Sequence, residues 1–125
     1  MNKNLFYKCN KCGNIIEVIN GNADLIKCCG ENMSLLVANT FDASTEKHIP
    51  VYEISDDKLY VTVGEIEHPM DEDHYIMWVA LVTDDKIFRI NLLPGNSPKV
   101  TFPYISNSVI YSYCNKHGLW KSIVK

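Results

Sequence analysis

The sequence predicts an all-β protein in two parts. A small metal-stapled domain occupies residues 1–37, and an antiparallel β-sandwich of immunoglobulin-like type occupies residues 38–125. Three observations predict this. Four of the five cysteines, Cys9, Cys12, Cys28 and Cys29, crowd into the first thirty residues. From Ile49 onward, apolar residues alternate with polar ones or form short continuous runs, and no stretch carries a helical period. Turn signals separate these runs at regular spacing, as in a sandwich of some seven short strands.

The N-terminal part is punctuated at short intervals by "CNKCGN", "NGNAD" and "CCGENM", with brief β-type runs "LFY", "IIEVI" and "DLIK" between them. So short a segment, with so few large side chains, cannot hold itself together by burial and needs a staple. "LLVANTFDAST" then leads into a different texture. "IPVYEIS" is followed by "KLYVTVGE", which puts Leu59, Val61 and Val63 on one face and Lys58, Tyr60 and Thr62 on the other. "YIMWVALV" is apolar on both faces, as a central strand would be, and ends at the turn "TDDK". "IFRINLL" alternates Phe88, Ile90 and Leu92 against Arg89 and Asn91. "LPGNSPK" breaks the chain again before "KVTF", "VIYSYC" and "LWKSIV" finish it. There is no internal repeat and no low-complexity segment.

Composition narrows the function. The hydrophobic share of 46% suffices for an ordinary core, and the longest apolar run, Tyr75 to Val82, is too short to span a bilayer. The N-terminus lacks a signal-peptide h-region, so the chain reads as cytoplasmic, where grouped cysteines bind metal more often than they form disulfides. The net charge of −3 hides an asymmetry: residues 1–41 carry four lysines against three acids, and residues 42–125 carry eight Lys/Arg against twelve acids. With no basic tract, nucleic acid is not an expected partner.

Two candidate metal sites follow. "CNKCG" is a Cys-x-x-Cys-Gly knuckle, in which glycine allows a tight turn and backbone N–H groups can point at the sulfurs. The second pair, Cys28 and Cys29, is adjacent and should give a less symmetric tetrahedron. Zinc and iron both accept four thiolates, so this ligand set does not choose between them.

The second site is read from His48, His68, His74 and His117, all in the second domain and all at strand ends or in adjoining loops. His48 precedes "IPVYEIS", His68 and His74 bracket "PMDED", and His117 follows Cys114 across a turn containing Gly118. Cys114 and His117 could form a nucleophile pair for hydrolysis. A pair three residues apart more naturally shares one metal, and one site made of Cys114 and the four histidines accounts for all of them. Asp71, Glu72 and Asp73 read as a solvated loop. Tyr75, Trp78, Tyr111, Tyr113 and Trp120 read as core or site packing.

"YKCNKCGN" with "CCGENM" resembles the desulforedoxin-type iron domain. "EKHIP", "HPMDEDHY" and "CNKHGLW" resemble the iron domain of superoxide reductases. In that order, over essentially the whole chain, they resemble the desulfoferrodoxin family of two-iron superoxide reductases. The resemblance implies a rubredoxin-like Fe(Cys)₄ centre on Cys9, Cys12, Cys28 and Cys29. It also implies a mononuclear iron on His48, His68, His74 and His117, with Cys114 as axial ligand and a vacant sixth position. The reaction it implies is O₂⁻ + e⁻ + 2H⁺ → H₂O₂, which excludes zinc because the metal must donate one electron. The axial thiolate would push electron density toward the open position. Glu46 is implied as a carboxylate that can occupy that position in the ferric state, and Lys47 as a positive charge near the open face. The family also implies a homodimer and a small electron-donor protein such as rubredoxin. The rival readings are a non-catalytic iron electron carrier and a zinc-stapled binding module.

Overall fold

The computed structural model of the chain describes residues 4–40 and 48–125. The chain divides into two compact units, Met1–Val37 and Ala38–Lys125. Among the described residues there is no helix, and hence none long and apolar enough to cross a membrane.

Among its described residues unit 1 has five short strands: β1 (Phe6–Lys8), β2 (Ile15–Glu17), β3 (Lys27–Cys28), β4 (Glu31–Asn32) and β5 (Ser34–Leu35). They form a three-stranded sheet in the order β2-β1-β5 and a β3-β4 ribbon. The run "DLIK" contributes only Lys27 to a strand. Asp24 and Leu25 form a turn, and Leu25 and Ile26 are exposed, because no other element described in unit 1 packs over them. The buried cluster is Tyr7, Cys9, Ala23 and Met33, with Ile16, Val18 and Cys28 against it. The Tyr7 hydroxyl donates to Asp24 Oδ1 at 2.9 Å, so even this small core is pinned by a polar contact. Burial on this scale falls short of the entropy of ordering such a segment, so its fold depends on the cysteine site.

Among its described residues unit 2 holds seven strands: β6 (Pro50–Ser55), β7 (Lys58–Val63), β8 (Ile76–Val82), β9 (Ile87–Asn91), β10 (Lys99–Pro103), β11 (Val109–Cys114) and β12 (Gly118–Ile123). They make a three-stranded sheet, β10-β7-β6, and a four-stranded sheet, β12-β11-β8-β9, antiparallel throughout, the architecture of an immunoglobulin-like sandwich. The alternation in β7 does what the pattern requires: Leu59, Val61 and Val63 are buried, while Lys58 and Tyr60 face out. In β8 every residue except Met77 is buried, as expected of a strand paired on both sides. The core joins these to Val100 and Phe102 of β10 and to Ile110 and Cys114 of β11. Cys114 is thus both the last residue of a core strand and part of the apolar cluster.

Two candidate metal centres

In unit 1 the four cysteine sulfurs lie within 4.8 Å of one another. Cys12 Sγ is 3.5 Å from Cys28 Sγ, and Cys28 Sγ is 4.0 Å from Cys29 Sγ. These separations far exceed a disulfide bond, and all five cysteines are free. They bracket the tetrahedral edge of about 3.8 Å that follows from metal–sulfur bonds of about 2.3 Å. The Cys12 N–H points at Cys9 Sγ at 3.4 Å, as a knuckle requires. That N–H and the neighbouring one of Lys11 hold the Cys9 thiol down to about 6. Cys29 moves the other way, up to about 12, because Cys12 and then Cys28 share protons with it and would repel its charge. One thiolate forms readily and the last resists until a cation neutralises the group. The adjacent pair converges because Cys29 takes a left-handed conformation, φ 54°, ahead of Gly30 at φ 81°. The site is open on one side: Cys9 is buried, while Cys12 and Cys29 are exposed.

In unit 2 the donor atoms of His48, His68, His74 and Cys114 lie within 4.8 Å of one another. His117 joins them through two contacts: its Nδ1 is 3.1 Å from His48 Nε2 and 3.8 Å from Cys114 Sγ. The four imidazoles close a ring of edge-on contacts. Centroid separations are 5.0 Å for His48–His68, 4.8 Å for His68–His74, 5.1 Å for His74–His117 and 4.8 Å for His117–His48. Four nitrogens about 2.1 Å from a common centre stand about 3.0 Å apart along each edge of a square, close to the 3.1 Å observed between His48 and His117.

The protonation pattern also fits a metal. His68 Nδ1 donates to the Pro69 carbonyl at 2.7 Å, which leaves Nε2 as the bare lone pair. That Nε2, and the Nε2 of His74, are buried without any hydrogen-bond partner, a costly state unless a metal takes the lone pairs. Burial pushes His68 down to about 4 and lowers His74, so both stay neutral and able to ligate at ordinary pH.

Burial gives the site its direction. Cys114 is fully buried, His48 and His68 are buried, His74 is half-buried and His117 is exposed. The thiol belongs to the apolar core, and the site reaches the surface at His117. His48, His117 and the segment around His74 are held by neighbours of which only Trp120 was read from the sequence as core or site packing. Ser112 Oγ donates to the His48 carbonyl at 3.1 Å, and Ser122 Oγ donates to that of Pro50 at 2.8 Å. Trp120 stacks on His48, 4.6 Å and 14° apart, and its Nε1 donates to the His117 carbonyl at 3.1 Å. Asn115 bonds the chain on both sides of His74. A signal did exist for two of them, since Asn115 stands between two ligands and Trp120 closes the same motif. For Ser112 and Ser122 the signal was a hydroxyl on an inward-facing strand position. Asp71, Glu72 and Asp73 are exposed, as a solvated loop would be. Glu46 and Lys47 lie outside the described residues.

Donor sets of this kind, four thiols in one unit and four imidazoles with one thiol in the other, define a non-haem metalloprotein with one closed and one open mononuclear centre. The sequence matches the family model for desulfoferrodoxin over residues 40–123 and that for the desulfoferrodoxin N-terminal domain over residues 1–36. A desulfoferrodoxin from Syntrophotalea carbinolica is 48% identical over 117 residues, 93% of each chain. A desulfoferrodoxin homolog from Methanothermobacter thermautotrophicus is 44% identical over 119 residues, 94% of this chain and 96% of the other. The crystal structure of the superoxide reductase from Treponema pallidum superposes with a TM-score of 0.74 at 30% identity, covering 94% and 95% of the two chains. The chain belongs to the desulfoferrodoxin family. Its two centres are therefore iron sites, one on Cys9, Cys12, Cys28 and Cys29 and one on the four histidines and Cys114.

Proposed function

We propose that the chain reduces superoxide to hydrogen peroxide at the unit 2 centre and draws electrons from a small donor protein such as rubredoxin. The single observation that carries this is the donor arrangement: a closed ring of four imidazoles backed on one side by the buried thiol of Cys114. Iron bound there supplies one electron per turn and a coordination position for an oxygen ligand.

The protein's own groups do the rest. Burial keeps His68 and His74 uncharged, so these two add no positive charge and do not repel iron(II). Cys114 would hold the iron through its sulfur, and a ferrous ion bound by one thiolate and four neutral imidazoles would carry +1 and attract an anion. The apolar floor around Cys114 bars water from the thiolate side, while the half-buried and exposed ligands His74 and His117 mark the side on which solvent and protons are available. On the family motif, Lys47 supplies local positive charge near the open face and Glu46 is the carboxylate that meets the ferric state. Exposed Cys12 and Cys29 support electron entry at the unit 1 centre. The exposed aliphatic residues Ile19, Leu25 and Val37 of unit 1 support a homodimer. Five free thiols support a reducing compartment, the cytoplasm.

The test is stoichiometry. The reductase reaction yields one hydrogen peroxide per superoxide and no dioxygen, at the expense of one electron from the protein. Dismutation, 2O₂⁻ + 2H⁺ → H₂O₂ + O₂, yields half as much peroxide and overturns the proposal. In the same assay Lys47→Ala is expected to slow superoxide capture about tenfold and to flatten its salt dependence.

A further inference from the structure

The β8–β11 ladder shifts register where it reaches the unit 2 centre. Tyr113 pairs with Trp78, but Cys114 pairs with Ile76, so Met77 is passed over. Beyond Cys114 neither strand continues, yet the two chains stay joined by one residue. The Asn115 backbone N–H donates to the Tyr75 carbonyl at 3.2 Å. Its side-chain Oδ1 accepts from the Tyr75 N–H at 2.9 Å, and its Nδ2 donates to the Asp73 carbonyl at 3.1 Å. The residues fixed by these bonds are the two neighbours of His74.

The other ligands are anchored differently. His68 is held through its own ring by the Pro69 carbonyl, His48 by Ser112 and the Trp120 ring, and His117 by the Trp120 indole. His74 sits on the exposed acidic loop, where a two-way backbone bridge to Asp71 ties the loop to itself and not to the sandwich. From these contacts we propose that Asn115 is the positioning residue of the unit 2 centre: it sets His74 at its distance from Cys114. The inference rests on the five donors forming one metal site. It needs asparagine specifically, because one planar side chain must accept from one strand-edge N–H while donating to a carbonyl two residues away. Aspartate lacks the donor, serine lacks the reach and glutamine is one methylene too long.

The test uses the full-length, iron-loaded protein and follows release of the unit 2 iron to a chelator through its thiolate-to-iron absorption, with the unit 1 iron as internal reference. Asn115→Ala is expected to release the unit 2 iron about 10- to 100-fold faster, the range typical of lost outer-shell support, to displace that absorption band and to leave the unit 1 iron unchanged. Asn115→Asp, which keeps the shape and the acceptor for Tyr75, guards against failure to fold and is also expected to release iron faster than the parent. A double-mutant cycle with His74→Ala separates positioning from general stability: if Asn115 acts through His74, its substitution adds almost nothing in the His74→Ala background. Parent-like release and spectrum in a folded Asn115 variant would overturn the proposal, as would losses that simply add in the cycle.

Discussion

The two units solve opposite problems with the same metal. In unit 1 the ligands come from two turns and the short segments leading into them, around a cluster of four buried residues, and one ligand, Cys9, is itself part of that cluster. In unit 2 a core drawn from seven strands and their flanks exists without the metal, and the histidines hang from strand ends and loops. Unit 1 is folded by its site, whereas unit 2 presents its site. The difference follows from size: a segment of 37 residues buries too little apolar surface to fold unaided, and a sandwich of this length does not have that difficulty. It also sets the chemistry. A site that must hold a fold together uses all its ligand positions on protein, and a site carried by a stable fold can leave one for substrate.

The most severe way to break the comparison is Cys12→Ser. Losing one of four thiolates should strip unit 1 of both its iron and its structure. Unit 2 should keep its iron, its sandwich and its reaction with superoxide when the protein is reduced chemically. Iron analysis with near-ultraviolet circular dichroism checks this, and concerted loss of both irons would show that the units do not stand independently. Next is Cys114→Ser. Here the sandwich should survive, because a buried serine costs only about 1–3 kcal/mol, while the thiolate-to-iron band vanishes. Activity should fall by more than the ~10- to 100-fold that outer-shell changes produce. Pulse radiolysis with visible spectroscopy reads both effects.

The smallest effect concerns acid and the metal-free protein. His68 is held down to about 4, chiefly by burial, and His74 is lowered for the same reason. A base with a folded pKa below its unfolded value of about 6.5 gives up stability as pH falls, because the unfolded chain binds the proton first. Metal-free unit 2 should therefore be most stable above about pH 6.5 and lose stability progressively down to about pH 4, with no further loss from His68 below that. Thermal melts of the metal-free protein across this range test it; a melting temperature that stays flat would contradict the burial of uncharged His68 and His74.

Much of this arrangement was legible in the sequence, for physical reasons that differ from place to place. The apolar run of β8 and the alternation of β7 are direct consequences of burial on two faces and on one, so the sandwich could be read residue by residue. The nine ligand positions were legible because their types, Cys and His, are scarce and have few other reasons to cluster. "DLIK" misled because apolar residues in a thin domain need not be buried. The left-handed Cys29 was not legible, since nothing in its type favours φ 54°. Nor were the bonds from Asn115 to Asp73 and Tyr75 and from Ser112 to His48, which span forty residues or more; those of Asn115 also lie just beyond a register shift that hydrophobic pattern does not encode.

The hairpin of β11 and β12 turns at Gly118, whose φ of 85° suits glycine, and it carries Cys114, Asn115, His117 and Trp120. During synthesis, unit 1 has all its ligands once residue 29 is out, and its iron can enter early. His48, His68 and His74 emerge long before the hairpin that orders two of them, and until it pairs with β8 they are three uncommitted imidazoles on an incomplete sheet. The unit 2 site is therefore the later of the two to have all its ligands in place.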